Sequence, residues 1–386
     1  MSSFVKVNHG YEPHLMAYDA IGSVFIDDAR GKQILLKPNA GRIGPAKSGL
    51  CTNPEVLRGL IRFFKEKEAT QIFVGDGALV GSNVWEAMDA AGIAKVCQEE
   101  GAIMVNLDQY DPVIKEISYG TMVSNLKFSS LVFEVDYVIS VPVMKTHMYT
   151  GATLSIKNMK GCLHKREKTK LHYINKPCPD TAKGRCLDWG IADMASVLLP
   201  HYSVIDGTSC MEGFGPSAGT RIDLDLVIAG KDPTAVDYVG VMLMGMPSDS
   251  ISHINLVQEH CGTAASDNIN VEPDDYLKYS KKFIPSDLSK LPNMYPNISL
   301  LEKGSCSACS AAAMMFLKTH GNKFHQNFKF TIATGRDLSY EDSSKEDVYL
   351  IGNCAGTNAQ GKKYCIGCPP IGSSILDFIR GEWEAQ

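Results

Sequence analysis

The chain has 386 residues and a net charge of −5, with 44% hydrophobic, 21% charged and 8% aromatic residues. That length exceeds one ordinary core and predicts two domains, while the acidic balance excludes a general nucleic-acid binder, whose surface would be basic. The opening MSSFVKVNHGYEPHLMAYDA has no apolar leader core, and no apolar run reaches the roughly 20 residues that span a bilayer. The expectation is a cytoplasmic protein without membrane contact.

Taken in chain order, Gln33–Asn39 reads as a strand stopped by Pro-Asn, and Asn53–Ala69 as an amphipathic helix with Asn53 as N-cap and Pro54 at its first position. Thr70–Gly77 is a buried strand breaking on Gly-Asp-Gly. VWEAMDAAGIAKVCQEEG reads as one helix, AIMVNLD as a strand, and VDYVISVPVMKTH as one strand running into a charged loop. Near-continuous apolar strands alternating with helices define an α/β class with a largely parallel sheet. After Ser203–Gly207 comes the Gly-rich MEGFGPSAG, then strand, turn and helix in LDLVIAGKDPTAVDYVGVMLMG. The polar, Pro-dotted stretch that follows reads as a connection. The tail repeats the alternation in ISLLEKG, SAAAMMFLKTHG, FKFTIATG, VYLIGNC and IGSSILDFIRGEW. The expected organisation is a main α/β domain over 1–264, a connection over 265–296 and a smaller α/β lobe over 297–386.

The stretch VPVMKTHMYTGATLSIKNMKGCLHKREKTKLHY, Val141 to Tyr173, is a local positive field in an acidic chain, suited to a carboxylate or phosphate. Lys165, Arg166, Lys168 and Lys170 read as a solvated charge run. Lys145 and His147 instead abut the carboxyl end of a buried strand, where open α/β sheets place their sites, and Lys157 and Asn158 follow the apolar ATLSI. His147 is the expected general acid/base, with Lys145 and Lys157 catalytic beside it, and Asp76, Asn158, Lys160 and His172 on the substrate side. VGDGALVGSN (Val74–Asn83) and GFGPSAG (Gly213–Gly219) offer backbone amides, with Asp206 and Glu212 as further acid/base candidates. VGDGALVGSN lacks the spacing of a nucleotide-binding motif.

Twelve Cys in a reducing compartment do not suggest a disulfide framework. Cys51, Cys97, Cys210 and Cys261 are isolated and read as core residues. Cys306, Cys309, Cys354, Cys365 and Cys368 are concentrated in the small lobe. Three strand-end loops of a parallel sheet share one edge, so thiols about 60 residues apart can converge there. A zinc ribbon pairing Cys306/Cys309 with Cys365/Cys368 would need a far shorter gap. The Cys-Pro ending matches ferredoxin-type ligation, which favours a [4Fe–4S] cluster on Cys306, Cys309, Cys354 and Cys368, with zinc as the alternative metal and Cys365 as spare or substitute ligand.

LLKPN, NPEVLRGLI, VGDG, VPVMKTHMYTGATLSIKNMKG, DGTSCMEGFGPSAG and AGKDPTAVDYV together resemble the domain-of-unknown-function 362 family, over about Gln33–Gly262. Lys-Thr-His and Ser-x-Lys-Asn are the most specific elements. The resemblance implies an accompanying iron–sulfur module, in keeping with GCPP, and Cys365 departs from the pattern. A remoter similarity links His147, Lys157 and His172 to nickel-pincer lactate racemases, whose strand-end His is followed ten residues on by a cofactor-bearing Lys and then another His. Those enzymes' substrate-binding Arg has no counterpart in GDGALVGSN. The expected function is an iron–sulfur oxidoreductase acting on a small anionic substrate. A racemase, epimerase or lyase of hydroxy or amino acids is the alternative, and a non-catalytic electron-transfer or metal-binding protein the third reading. The expected partners are that substrate and a redox protein, with neither nucleic acid nor membrane, and a homodimer is compatible with the sequence.

Overall fold

The computed structural model describes residues 3–78, 82–174, 176–286, 294–357, 359 and 361–384. The chain forms two compact units, Met1–Ser286 and Asp287–Gln386.

The strands of the first unit, in chain order, are β1 (Ser3–His9), β2 (Gln33–Pro38), β3 (Gln71–Asp76), β4 (Ile103–Asn106), β5 (Pro112–Glu116), β6 (Asn125–Ser129), β7 (Tyr137–Val141), β8 (Val143–His147), β9 (Gly151–Thr153), β10 (Tyr202–Glu212), β11 (Thr220–Ile222), β12 (Leu226–Gly230) and β13 (Ile269–Glu272). The main sheet runs β13-β1-β12-β10-β7-β2-β3-β4, with β8, β9 and β11 attached to β10 and β8, and β5–β6 form a separate hairpin. Along the main path only β12 lies antiparallel to its neighbours.

Helices cover both faces, so successive residues of β2 enter opposite cores. Ile34 and Leu36 pack with Leu57, Leu60 and Phe64 of helix Pro54–Glu66, while Leu35 joins the core that holds Ile191 and Val239. Burial on both sides is why these strands read as continuous apolar runs. Asn53 caps helix Pro54–Glu66 as its type predicts, its side chain accepting from the Glu55 N–H.

The structure differs from the sequence reading in three places. The segment expected as one helix over 84–101 is two, Val84–Ala90 and Ile93–Glu100, because Gly92 takes φ +75° between them. The strand expected over 135–147 divides at Pro142, which has no N–H for the ladder. Residues 269–272, inside the expected connection, form β13 and pair with β1; positions 287–293 of that connection lie outside the described residues. No helix among the described residues is long and apolar enough to cross a membrane.

The second unit contains β14 (Ile298–Glu302), β15 (Phe330–Thr334), β16 (Val348–Ile351) and β17 (Tyr364–Cys365), all parallel in the order β14-β15-β16-β17. Ile332, Tyr349 and Ile351 pack with Phe316 and Ile379 from helices Ser307–His320 and Gly372–Glu384, whereas Ala333, Val348 and Leu350 form the core of the other face. This is the small α/β lobe expected from the tail.

Candidate functional site

Strand β8 carries Lys145 and His147 on one side and Thr146 on the other. Thr146 Oγ1 donates to Gly213 O (2.9 Å), and the Met148 N–H to Gly215 O (3.1 Å). The Gly-rich loop is therefore the β10–β11 connection seated against β8, where a Cβ on Gly215 would come within 1.9 Å of Thr146 O. Its carbonyls serve this packing, while the N–H groups of Gly213 and Gly215 donate to Ile284 O and Gly213 O (2.8 Å each).

Lys145 is 6% exposed and donates from Nζ to Leu50 O (2.8 Å). Burial pushes its pKa down to about 8. His147 Nδ1 accepts from the N–H groups of Tyr149 (3.1 Å) and Thr150 (3.2 Å), which leaves the ring proton on Nε2. Burial, then the charges of Lys157, His172 and Lys160, holds His147 well below its usual value, so the imidazole is neutral. Lys157 is lowered by burial and by Lys160 and Lys145, with Asp188 offsetting part of the effect. Lys160 Nζ lies 2.7 Å from His172 Nε2; burial takes Lys160 to about 7 and holds His172 well below its usual value. The structure thus gathers Lys145, His147, Lys157, Lys160 and His172 into one cluster whose members act on each other's charge.

Lys157 is aimed by a residue the sequence reading missed. Helix Ser155–Asn158 begins with the N–H groups of Ser155 (2.7 Å) and Ile156 (3.0 Å) donating to Asp237. Asp237 is fully buried in helix Pro233–Leu243, and burial raises its pKa to about 7. Its signal in the sequence was an acid inside the apolar run AVDYVGV.

Asp76 and Asn158 have another task than touching substrate. Lys37, 1% exposed on β2, pairs with Asp76 Oδ1 (2.7 Å) and donates to Asn158 Oδ1 (2.7 Å) and Pro38 O (2.8 Å). Asp76 also accepts from the N–H groups of Gly77 (2.8 Å) and Ala40 (2.9 Å). Asn158 Oδ1 takes a second bond from Asn39 Nδ2, while its own Nδ2 donates to Lys37 O (2.8 Å) and Ser140 Oγ (3.0 Å). Asn158 has its full bonding capacity spent inside the protein, and three bonds tie Asp76 to Lys37, Gly77 and Ala40, so both brace the cluster from behind. A Cβ on Gly161 would fall 2.1 Å from Asp76 Oδ1, so only glycine fits over this ion pair. Lys37 was missed as well, although a lysine in ILLKP is out of place unless paired.

Lys168 corrects the expectation of a solvated run. It is 3% exposed and pairs with Asp108 Oδ1 (2.5 Å), whereas Lys165 and Arg166 are exposed as expected. Asp206 accepts from the N–H groups of Asn53 (2.7 Å) and Thr208 (3.0 Å) and from Thr208 Oγ1 (2.6 Å), and Glu212 accepts from the Ile284 N–H (2.8 Å). Both hold backbone. Of VGDGALVGSN, Leu79–Gly81 lie outside the described residues.

In the small lobe, Cys306, Cys354 and Cys368 follow β14, β16 and β17, and Cys309 lies in the first turn of helix Ser307–His320. A hydrogen bond from Cys309 and the N–H groups of that turn lower Cys306 to about 6. Cys309 is raised by the Cys306 contact, by burial and by the charges of Cys368 and Cys354. Cys354 is raised by burial and by Cys368 and Cys306. The four expected ligands therefore lie in one neighbourhood, near enough to influence one another. Cys365 does not join them: it is 4% exposed, packs in the core with Ile351 and Ile375, and is pushed up to about 11 by burial alone. Among the described residues no three His, Cys, Asp or Glu side chains already stand in metal-binding geometry. The donor chemistry, four thiols from three loops at one sheet edge, fits a thiolate-ligated cluster or zinc. Cys51, Cys97 and Cys210 are buried and Cys261 partly so, as core residues should be.

Fold and sites define an α/β protein with a buried lysine–histidine cluster at the carboxyl ends of its main sheet and a second lobe that carries five cysteines. Residues 34–242, more than half of the chain, match the family described as Domain of unknown function (DUF362), and the chain belongs to that family. The thylakoid-associated protein sll1697 of Synechocystis sp. is 27% identical over 216 residues, which cover 54% of this chain and 62% of that protein. Among solved structures, the lactate racemase apoprotein of Thermoanaerobacterium thermosaccharolyticum aligns with a TM-score of 0.41 at 12% identity, over 88% of this chain and 74% of that one.

Proposed function

We propose that the protein is an iron–sulfur enzyme, an oxidoreductase that binds a small carboxylate or phosphate substrate at the Lys145–His147–Lys157 cluster and exchanges electrons through a redox partner protein. What supports it is that Cys306, Cys354 and Cys368 all act on the charge of Cys309, while Cys365 packs in the core. A cluster bound there would supply one-electron redox capacity. The chain's own residues would hold the anion and move a proton: Lys145 and Lys160 take up charge as the anion arrives, and neutral His147 presents its Nε2 proton. A racemase, epimerase or lyase is a second reading, favoured by two neutral imidazoles, His147 and His172, beside one lysine of depressed basicity. Protein prepared without oxygen should contain about four irons and matching labile sulfide per chain, as a cubane requires. Stoichiometric zinc without sulfide would sink the oxidoreductase reading.

Anion binding should depend on pH in a defined direction. Lys145 and Lys160 lose their protons near 8 and 7, far below the usual lysine value. Sulfate keeps its charge through this range, so its affinity should fall by about tenfold or more as pH rises from about 6.5 to about 9. In sulfate-free buffer the same lysines make stability rise with pH, from their folded pKa values up towards about 10.4. Calorimetric titration checks this, and Lys160→Met should flatten the profile. Binding equally tight at both pH values would remove the anion-site assignment.

A further inference from the structure

Cys178 and Cys186 lie outside both sites described so far. Their thiols contact each other, and each is half-buried, within reach of small reagents but packed against the main core. Cys186 is the first residue of the ten-residue helix Cys186–Ala195, and its Sγ donates to Lys176 O (3.7 Å). Cys178 Sγ donates to Gly184 O (3.1 Å), so the intervening loop already folds back on the first cysteine. Trp189 Nε1 bonding to Asp180 O (3.2 Å) and the Lys183–Glu259 pair (2.7 Å) hold the loop in this shape.

We propose that Cys178 and Cys186 are a redox-active dithiol that a small-molecule disulfide converts to an intramolecular disulfide. The Cys186 thiolate attacks one sulfur of the reagent, forming a mixed disulfide and expelling one small thiolate. Cys178 then attacks the Cys186 sulfur, expelling the second, and the two protons from the protein thiols go to the expelled thiolates. The protein loses two electrons and the reagent gains them. Burial, then the neighbouring Cys186, raises the Cys178 thiol to about 11, so it holds little thiolate and is not the first to attack the reagent.

The oxidised form pins a wall of a cavity. The 178–186 loop contributes Thr181, Gly184 and Arg185 to a polar cavity of about 250 Å³ that Tyr149, Thr150 and Asp188 also line. Tyr149 and Thr150 are the residues whose N–H groups grip His147, so the state of the dithiol is set beside the support of the basic cluster.

The test exposes the full-length, anaerobically prepared protein to glutathione disulfide and maps the products by mass spectrometry. A linked Cys178–Cys186 peptide should be the first oxidised species outside the small lobe. In Cys178→Ser the glutathione adduct should accumulate on Cys186, at least about tenfold faster than on Cys178 in Cys186→Ser. Tryptic cleavage after Lys183 should slow by roughly tenfold in the oxidised protein, because the loop opens less often. Thiols that stay reduced while other main-unit cysteines react, or adducts that form equally fast in the two variants, would overturn the dithiol. Unchanged cleavage at Lys183 would overturn the pinning.

Discussion

Cys306→Ser, Cys309→Ser, Cys354→Ser and Cys368→Ser should each abolish the brown chromophore of anaerobically prepared protein, while Cys365→Ser keeps it. The expectation rests on placement. The first four thiols act on one another's charge at the strand ends, and losing any one removes a quarter of the donor set. Cys365 is shifted by burial alone and packs among apolar side chains. Serine there buries a hydroxyl at a cost of about 1–2 kcal/mol to the lobe, which lowers its stability without touching the ligands. Iron content and the absorption spectrum of the five variants are the readout. A bleached Cys365→Ser beside a coloured Cys368→Ser would exchange the two assignments.

Lys37→Met should be the most damaging substitution in the main unit, costing about 3–5 kcal/mol, because it leaves Asp76 charged, buried and without its cation. Natural domains hold only about 5–15 kcal/mol in total, so chemical denaturation should show a midpoint far below that of the parent. The Lys37→Met/Asp76→Asn pair should recover part of the loss by removing the orphaned charge. A single variant within about 1 kcal/mol of the parent would show that Asp76 finds another partner or takes up a proton.

Much of this architecture was legible in the sequence for definite reasons. Strands buried on both faces announce themselves as apolar runs, and Asn53-Pro54 announces a helix start. Lys145, His147 and Lys157 were singled out because each directly follows such a run. What escaped was long-range satisfaction of polar groups. Asp237 lies 80 residues beyond Lys157 in the chain yet caps its helix, and Lys37 is tied to Asp76 and Asn158. Neither partnership leaves a periodic trace. Asp76 and Asn158 were read as facing substrate, whereas their bonds run to Lys37 and to neighbouring backbone and side chains. Lys168 looked solvated because its partner, Asp108, belongs to another segment. β13 was overlooked because four residues with mixed burial carry almost no pattern.

The strand order of the small lobe also determines when its thiols can become neighbours. Each parallel strand must be laid down through a crossover, and such pairings between distant segments form slowly. Until β16 and β17 have joined the sheet, the chain offers only the Cys306–Cys309 pair. A contiguous ferredoxin run can gather metal while still unstructured; here the proposed ligation would have to wait for the lobe to fold. Metal delivered too early would meet half a site, open to zinc or to oxidation. A cluster on the four proposed ligands would have to await the joining of Val348–Ile351 and Tyr364–Cys365 to the sheet, and the finished sheet would then be the checkpoint for loading.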